Sequence, residues 1–171
     1  MTAINSVELR QISAPLPSTF SGGTYQLASR TALLCRITAD DGTVGEACVG
    51  NESSYPDVLK QNVRGPFREL LLGADPLQGE QLWRGMIAFD KAYIDRPSLM
   101  LAIATVDAAL WDLRGKLLGV PVWKLLGGYD RRVPMIGIGG YYETSRDAAG
   151  IRKEIAFYRE QGLAGIKVKV G

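Results

Sequence analysis

The residues best suited to do chemistry close the chain, in Gly165-Ile166-Lys167-Val168-Lys169-Val170-Gly171. Two lysines alternate with Ile166, Val168 and Val170, which is the two-residue period of a β-strand. Both ammonium groups therefore leave the same face of the strand, with Cβ atoms about 6–7 Å apart. Spacing alone leaves two readings of that face. If it meets water, the lysines are ordinary solvated side chains that guard a sheet edge. If it points into a closed site, two like charges in a low dielectric disfavour each other. One amine is then available near neutral pH to accept a proton as a general base.

Composition removes several alternatives. The 171 residues carry a formal charge of +2 and include no histidine. A Ser-His-Asp triad, a Cys-His pair or an ordinary zinc site cannot be built from this chain alone. No basic run marks a nucleic-acid partner. No apolar stretch is long enough to span a bilayer, and the first residues lack the basic-then-apolar layout of a signal peptide. Cys35 and Cys48 fall within strand-like stretches. They read as buried free thiols in a reducing, cytoplasmic compartment rather than as a disulfide or metal pair.

The elements that must position the lysine strand follow from periodicity and turn signals. Ile4 to Ile12 reads as a strand that Pro15 and Pro17 end. Pro15 to Gln26, carrying Phe20 and Tyr25, reads as a loop. Ala32 to Thr38 and Thr43 to Val49 read as two strands of a hairpin turned at Asp41-Gly42. The loop Gly50 to Pro56 closes this antiparallel meander. Helical spacing follows from Val58 to Leu71, with Pro66 as an interruption or a new start. Another helix opens at Asp75-Pro76 and passes through Leu82, Trp83 and Ile87. A third runs from Ser98 to Leu118, with Gly119 as its stop and Pro121 beyond. Its broad apolar stripe and its alanines predict a central, buried helix. Asp107, Asp112 and Arg114 upon it read as capping and salt-bridging groups across a domain interface rather than as catalysts. Then Val133 to Tyr142 reads as a strand, Ser145 to Gln161 as a helix, and Ala164 to Val170 as the lysine strand. That is one βαβ unit, hence parallel strands.

Two stretches carry a resemblance. They are Ala102-Ile103-Ala104-Thr105-Val106-Asp107-Ala108-Ala109-Leu110-Trp111-Asp112-Leu113-Arg114-Gly115-Lys116 and Pro121-Val122-Trp123-Lys124-Leu125-Leu126-Gly127. Together they resemble the signature of the mandelate racemase/muconate lactonizing branch of the enolase superfamily. Thr105 is slightly larger than the residue usual at its place. The resemblance implies an α+β capping domain over residues 1–128. The first βαβ unit of a TIM-like barrel follows over 129–171, completed as a modified (β/α)7β barrel in the whole enzyme. The family's second barrel strand carries a Lys-x-Lys motif, matched by Lys167-Val168-Lys169. By that resemblance Lys169 takes the proton from the carbon next to a substrate carboxylate. Lys167 contacts the carboxylate and favours the neutral form of its neighbour. A lysine base working beside Mg²⁺ is the scheme of that superfamily. The metal ligands are expected beyond residue 171, with none within the chain. Loops 15–26 and 50–56 resemble those that close over the barrel mouth, which makes Glu52 and Tyr55 candidates for substrate contact.

The chain thus reads as the N-terminal portion of a longer cytoplasmic, Mg²⁺-dependent enzyme, homo-oligomeric at full length and inactive as 171 residues alone. Its substrate is a small carboxylate. The expected reaction is acid-sugar or hydroxy-acid dehydration or racemisation. Muconate-type cycloisomerisation, epimerisation of an amino-acid derivative, and a non-catalytic anion-binding or interaction module remain open alternatives.

Overall fold

The structure, a computed structural model, describes residues 2–52, 57–92, 95–130, 132–141 and 147–169. It separates into two compact units. One joins Met1–Ser13 to Thr31–Tyr129; the other joins Ala14–Arg30 to Asp130–Gly171. No helix among the described residues is long and apolar enough to cross a membrane.

Three strands, β1 (Ile4–Ser21), β2 (Gln26–Ala39) and β3 (Val44–Glu52), make one sheet in that order. The Asp41-Gly42 turn forms as the sequence predicts. Asp41 Oδ1 accepts the Thr43 N–H at 2.8 Å, and β2 and β3 pair antiparallel from Thr38↔Val44 outward. The expectation of a loop from Pro15 is corrected. β1 runs through Pro15 and Pro17 to Ser21, and only residues 22–25 turn, closed by the Gly22 N–H donated to the Tyr25 carbonyl at 3.0 Å. Proline removes a ladder donor, which is tolerated on an edge strand, and β1 is one. β3 likewise absorbs Gly50 to Glu52, which had read as loop; the rest of that loop, 53–56, lies outside the described residues.

Helix α1 (Asp57–Asn62) passes through a π-helical segment, Val63–Phe67, into α2 (Arg68–Leu71). Pro66 lies in that segment, and Gly65 before it leaves helical geometry, so two helices meet at a kink there and the proline opens the second. Asp75-Pro76 forms a turn and not a helix start. Asp75 Oδ1 accepts the Leu77 N–H at 2.9 Å, and α3 begins at Gly79 and ends at Ile87.

Helix α4 (Arg96–Leu118) is the spine of the first unit. Asp95 caps it by accepting the Ser98 N–H, Pro97 occupies its first turn, and Gly119 ends it in the left-handed region at φ +65°. Leu99, Ala102, Ile103, Val106, Ala109 and Leu113 are fully buried or nearly so. A helix apolar on so many sides belongs in a core. It lies along β3 so closely that a Cβ on Gly45 would collide with the Ala109 carbonyl and the Leu113 backbone. Among the described residues, Asp112 and Arg114 of α4 make their hydrogen bonds inside this unit. Asp112 accepts the Glu46 N–H at 2.8 Å and the Lys116 ammonium at 2.6 Å. Arg114 Nε donates to the Pro76 carbonyl at 2.6 Å. The cysteines divide: Cys35 is buried, as expected, but Cys48 is exposed, because neighbouring positions of paired antiparallel strands face opposite sides. A short helix, α5 (Val122–Leu125), follows Pro121.

In the second unit β4 (Ile136–Gly139) and β5 (Gly165–Val168) pair in parallel, Ile136↔Gly165 through Gly139↔Val168, with α6 (Ala148–Glu160) between them in sequence. This is the βαβ unit the sequence predicts. Its strands are shorter than expected; the strand ends predicted at Tyr142 and Val170, and the helix start predicted at Ser145, lie outside the described residues.

Candidate active site

The second unit positions Lys169 one residue past β5, half-buried, and Lys167 within β5, exposed. The strand ends the chain's parallel pair, so Lys169 stands at its C-terminal end. Its Nζ lies 5.5 Å from the centroid of the Tyr141 ring and 5.7 Å from that of Tyr25. Both distances are within reach of a cation–π attraction. Phe20 meets Tyr141 edge to face, with centroids 5.3 Å apart at 64°.

Local sequence explains how Tyr141 reaches this position. β4 reads Ile136-Gly137-Ile138-Gly139, followed by Gly140. A Cβ on Gly137 would enter the ring of Tyr158, and one on Gly139 would enter the carboxylate of Glu154. The bare strand face thus lets α6 lie directly upon it. The Tyr158 hydroxyl donates to the Ile138 carbonyl at 3.2 Å, and Glu154 accepts the Gly140 N–H at 2.9 Å. Gly140 adopts φ +64°, a conformation costly for any residue with a Cβ. The chain turns there and delivers Tyr141.

Of the other candidates, Glu52 ends β3 opposite Thr31, and Tyr55 lies outside the described residues. Tyr25, Tyr141 and Phe20 were not singled out by motif. The available signal was an aromatic residue beside each glycine pair, Gly22-Gly23 and Gly139-Gly140. Among the described residues no three His, Cys, Asp or Glu side chains come together as a metal site. They do not fit Mg²⁺ by themselves, since a hard cation wants several converging oxygens.

A separate cavity of about 690 Å³ opens in the first unit between α3 and α4, walled by Trp83, Trp111, Leu77 and Leu118. Arg114 is nine-tenths buried there, 5.1 Å from the Trp111 ring centroid. Burial pushes its guanidinium below the ordinary arginine value, and Asp107 nearby opposes that shift. Glu80 and Asp107 line it as well.

A family model described as the N-terminal domain of mandelate racemase / muconate lactonizing enzyme matches residues 4–127. An arabinonate dehydratase from Saccharolobus solfataricus is 36% identical over 137 residues, which cover 79% of this chain and 36% of that protein. A 3,6-anhydro-alpha-L-galactonate cycloisomerase from Streptomyces coelicolor is 32% identical over 159 residues, 92% of this chain and 43% of that protein. The crystal structure of a racemase from Streptomyces coelicolor A3(2) with bound magnesium superposes with a TM-score of 0.87 at 30% identity, covering 98% of this chain and 47% of that one. The chain thus spans less than half the length of each of these proteins. The matched segment holds the whole β1–β3 meander and the α4 spine, and the superposition carries on through the parallel pair that presents Lys169: the chain belongs to the mandelate racemase / muconate lactonizing enzyme family.

Proposed function

We propose that residues 1–128 are the capping domain, and residues 129–171 the opening of the barrel, of an enzyme that removes the proton α to a carboxylate. Its substrates in this reading are acid sugars or hydroxy acids, and its reaction is dehydration or racemisation. The observation that carries the proposal is the placement of Lys169, half-buried past the C-terminal end of β5 with aromatic rings around its amine. Barrel enzymes keep their catalytic groups at that end of the strands.

The chemistry assigns a role to each lysine. A hydrogen on the carbon beside a carboxylate is only weakly acidic, and its removal places charge on the carboxylate oxygens. Lys169, as the neutral amine, takes the proton. Lys167 is a cation two residues earlier that attracts the carboxylate and disfavours a second charge on its neighbour. In a dehydration the β-hydroxyl then leaves as water, taking the proton that the Lys169 ammonium now carries, and the enol that remains becomes a 2-keto-3-deoxy acid. Magnesium belongs to this reading because relatives in the family carry it. Its ligands would lie in the part of the relatives' length that this chain does not span, and the roles of the two lysines stand without it. Glu52 and Tyr55 stay in the proposal as substrate contacts from the capping domain. The similarity to a cycloisomerase supports a second outcome of the same first step, ring rearrangement of the enolate in place of water loss.

The test is turnover by the full-length protein on a panel of aldonic acids, arabinonate and galactonate among them, with and without Mg²⁺. The product is read as 2-keto-3-deoxy acid. Consumption of at least one acid only when Mg²⁺ is present is expected. Absence of conversion and of α-proton exchange with every acid, Mg²⁺ included, would overturn the reading.

A further inference from the structure

We propose that Tyr25, at the tip of the β1–β2 hairpin, is a positioning residue for Lys169: its ring and that of Tyr141 form a two-sided aromatic clasp that holds the ammonium group. The proposal rests on the reading of Lys169 as the base. Its own ground is geometric. The Lys169 Nζ lies within 6 Å of both ring centroids, 5.7 Å for Tyr25 and 5.5 Å for Tyr141. Among the described residues, no carboxylate lies within ion-pair distance of it. Among the described residues, the two rings are the partners of this half-buried cation.

Both rings are held from behind. The Tyr25 ring folds back over its own turn, where a Cβ on Gly22 would come within 2.6 Å of two ring carbons. The turn is closed by the Gly22 N–H donated to the Tyr25 carbonyl. Tyr141 is delivered by the Gly140 turn, whose N–H donates to Glu154, and is steadied by the edge contact with Phe20. Phe20 and Tyr25 thus come from one hairpin, and Lys169 and Tyr141 from the ends of β5 and β4. All four belong to one compact unit.

The consequence is a link between the hairpin tip and the position of the base. A π face attracts an ammonium. The clasp fixes where Nζ points, and moving Tyr25 away frees it to turn toward a substrate.

The experiment separates this link from the identity of the base. Lysines are reductively methylated with ¹³C-formaldehyde, and the dimethyl-Lys169 signal is assigned by its loss in Lys169→Arg. Ring currents displace that signal upfield of the signals of lysines with no ring nearby; Lys124, whose Nζ lies 5.6 Å from the Trp123 ring centroid, is displaced as well and is assigned by Lys124→Arg. Tyr25→Phe keeps a π face and keeps the displacement; Tyr25→Leu keeps apolar bulk and loses about half of it. An undisplaced Lys169 signal in the unmutated protein overturns the clasp, whatever any variant does. So does a Tyr25→Phe variant that loses as much as Tyr25→Leu. A displaced signal together with full α-proton exchange in Lys169→Ala would leave the clasp standing and remove the base assignment instead.

Discussion

Cys35 and Cys48 lie on paired strands and face opposite environments. Burial pushes the Cys35 thiol up to about 12, because a thiolate there would lose its solvation. At pH 8 Cys35 therefore stays protonated and shielded, while Cys48 meets solvent. A thiol assay with Ellman's reagent at that pH should titrate one cysteine quickly and the second only after denaturant is added. Two fast thiols would show that the β2 core face is open. The same contrast explains what could be read at this scale. The alternation of Lys167 and Lys169 with apolar residues is a local pattern, legible without any fold. The rings over Lys169 are not local. Tyr25 and Tyr141 are far apart in the chain; the Tyr25 ring folds over Gly22 of its own turn, and Tyr141 follows Gly140, which packs against Val168 of β5. A period of two exposes a face; it does not say what stands opposite.

Helix α4 shows how much of an element its ends can carry. Asp95 accepts from Ser98, Pro97 sits in the first turn, and Gly119 closes the last. Proline and glycine were legible because both act on the backbone by their own covalent structure. The strand β1 was misread for the complementary reason: whether proline breaks a strand depends on whether its missing N–H had a partner, and that is decided by sheet order. The cap also makes a prediction about acid. The hydrogen bonds from Ser98 hold the Asp95 carboxyl below the usual carboxylate range. A depressed folded value means that the contribution to stability is present above the unfolded value, near ~4, and is lost as pH falls through the folded one. Asp95→Asn retains a capping oxygen and does not titrate. Thermal melts followed by circular dichroism should therefore show a larger drop in Tm from pH 6 to pH 3 for the unmutated chain than for Asp95→Asn. Equal drops would remove the cap from the account of acid stability.

The two units differ in how well they are filled. Among the described residues, every buried hydrophobic residue of the core belongs to the first, from Ile4 and Leu33 through Phe67 to Leu113. In the second, α6 buries none of its side chains, and Ile136 and Ile138 of β4 are about half exposed. A two-stranded sheet with bare edges and uncovered isoleucines recruits other chains. Residues 1–171, expressed alone, should self-associate at micromolar concentration when measured by light scattering, and a monodisperse monomer would show that the second unit is satisfied as it stands. The capping fold and the βαβ order were legible because each rests on runs of periodic residues. The proposed reaction rests on Lys169 at the end of β5, so its direct measurement is exchange of the substrate α-proton in heavy water by the full-length protein, followed by NMR. The account predicts that Lys169→Ala slows that exchange by at least the ~10²–10⁴-fold of a lost general base, with the fold retained. Exchange near the unmutated rate in that variant would contradict it.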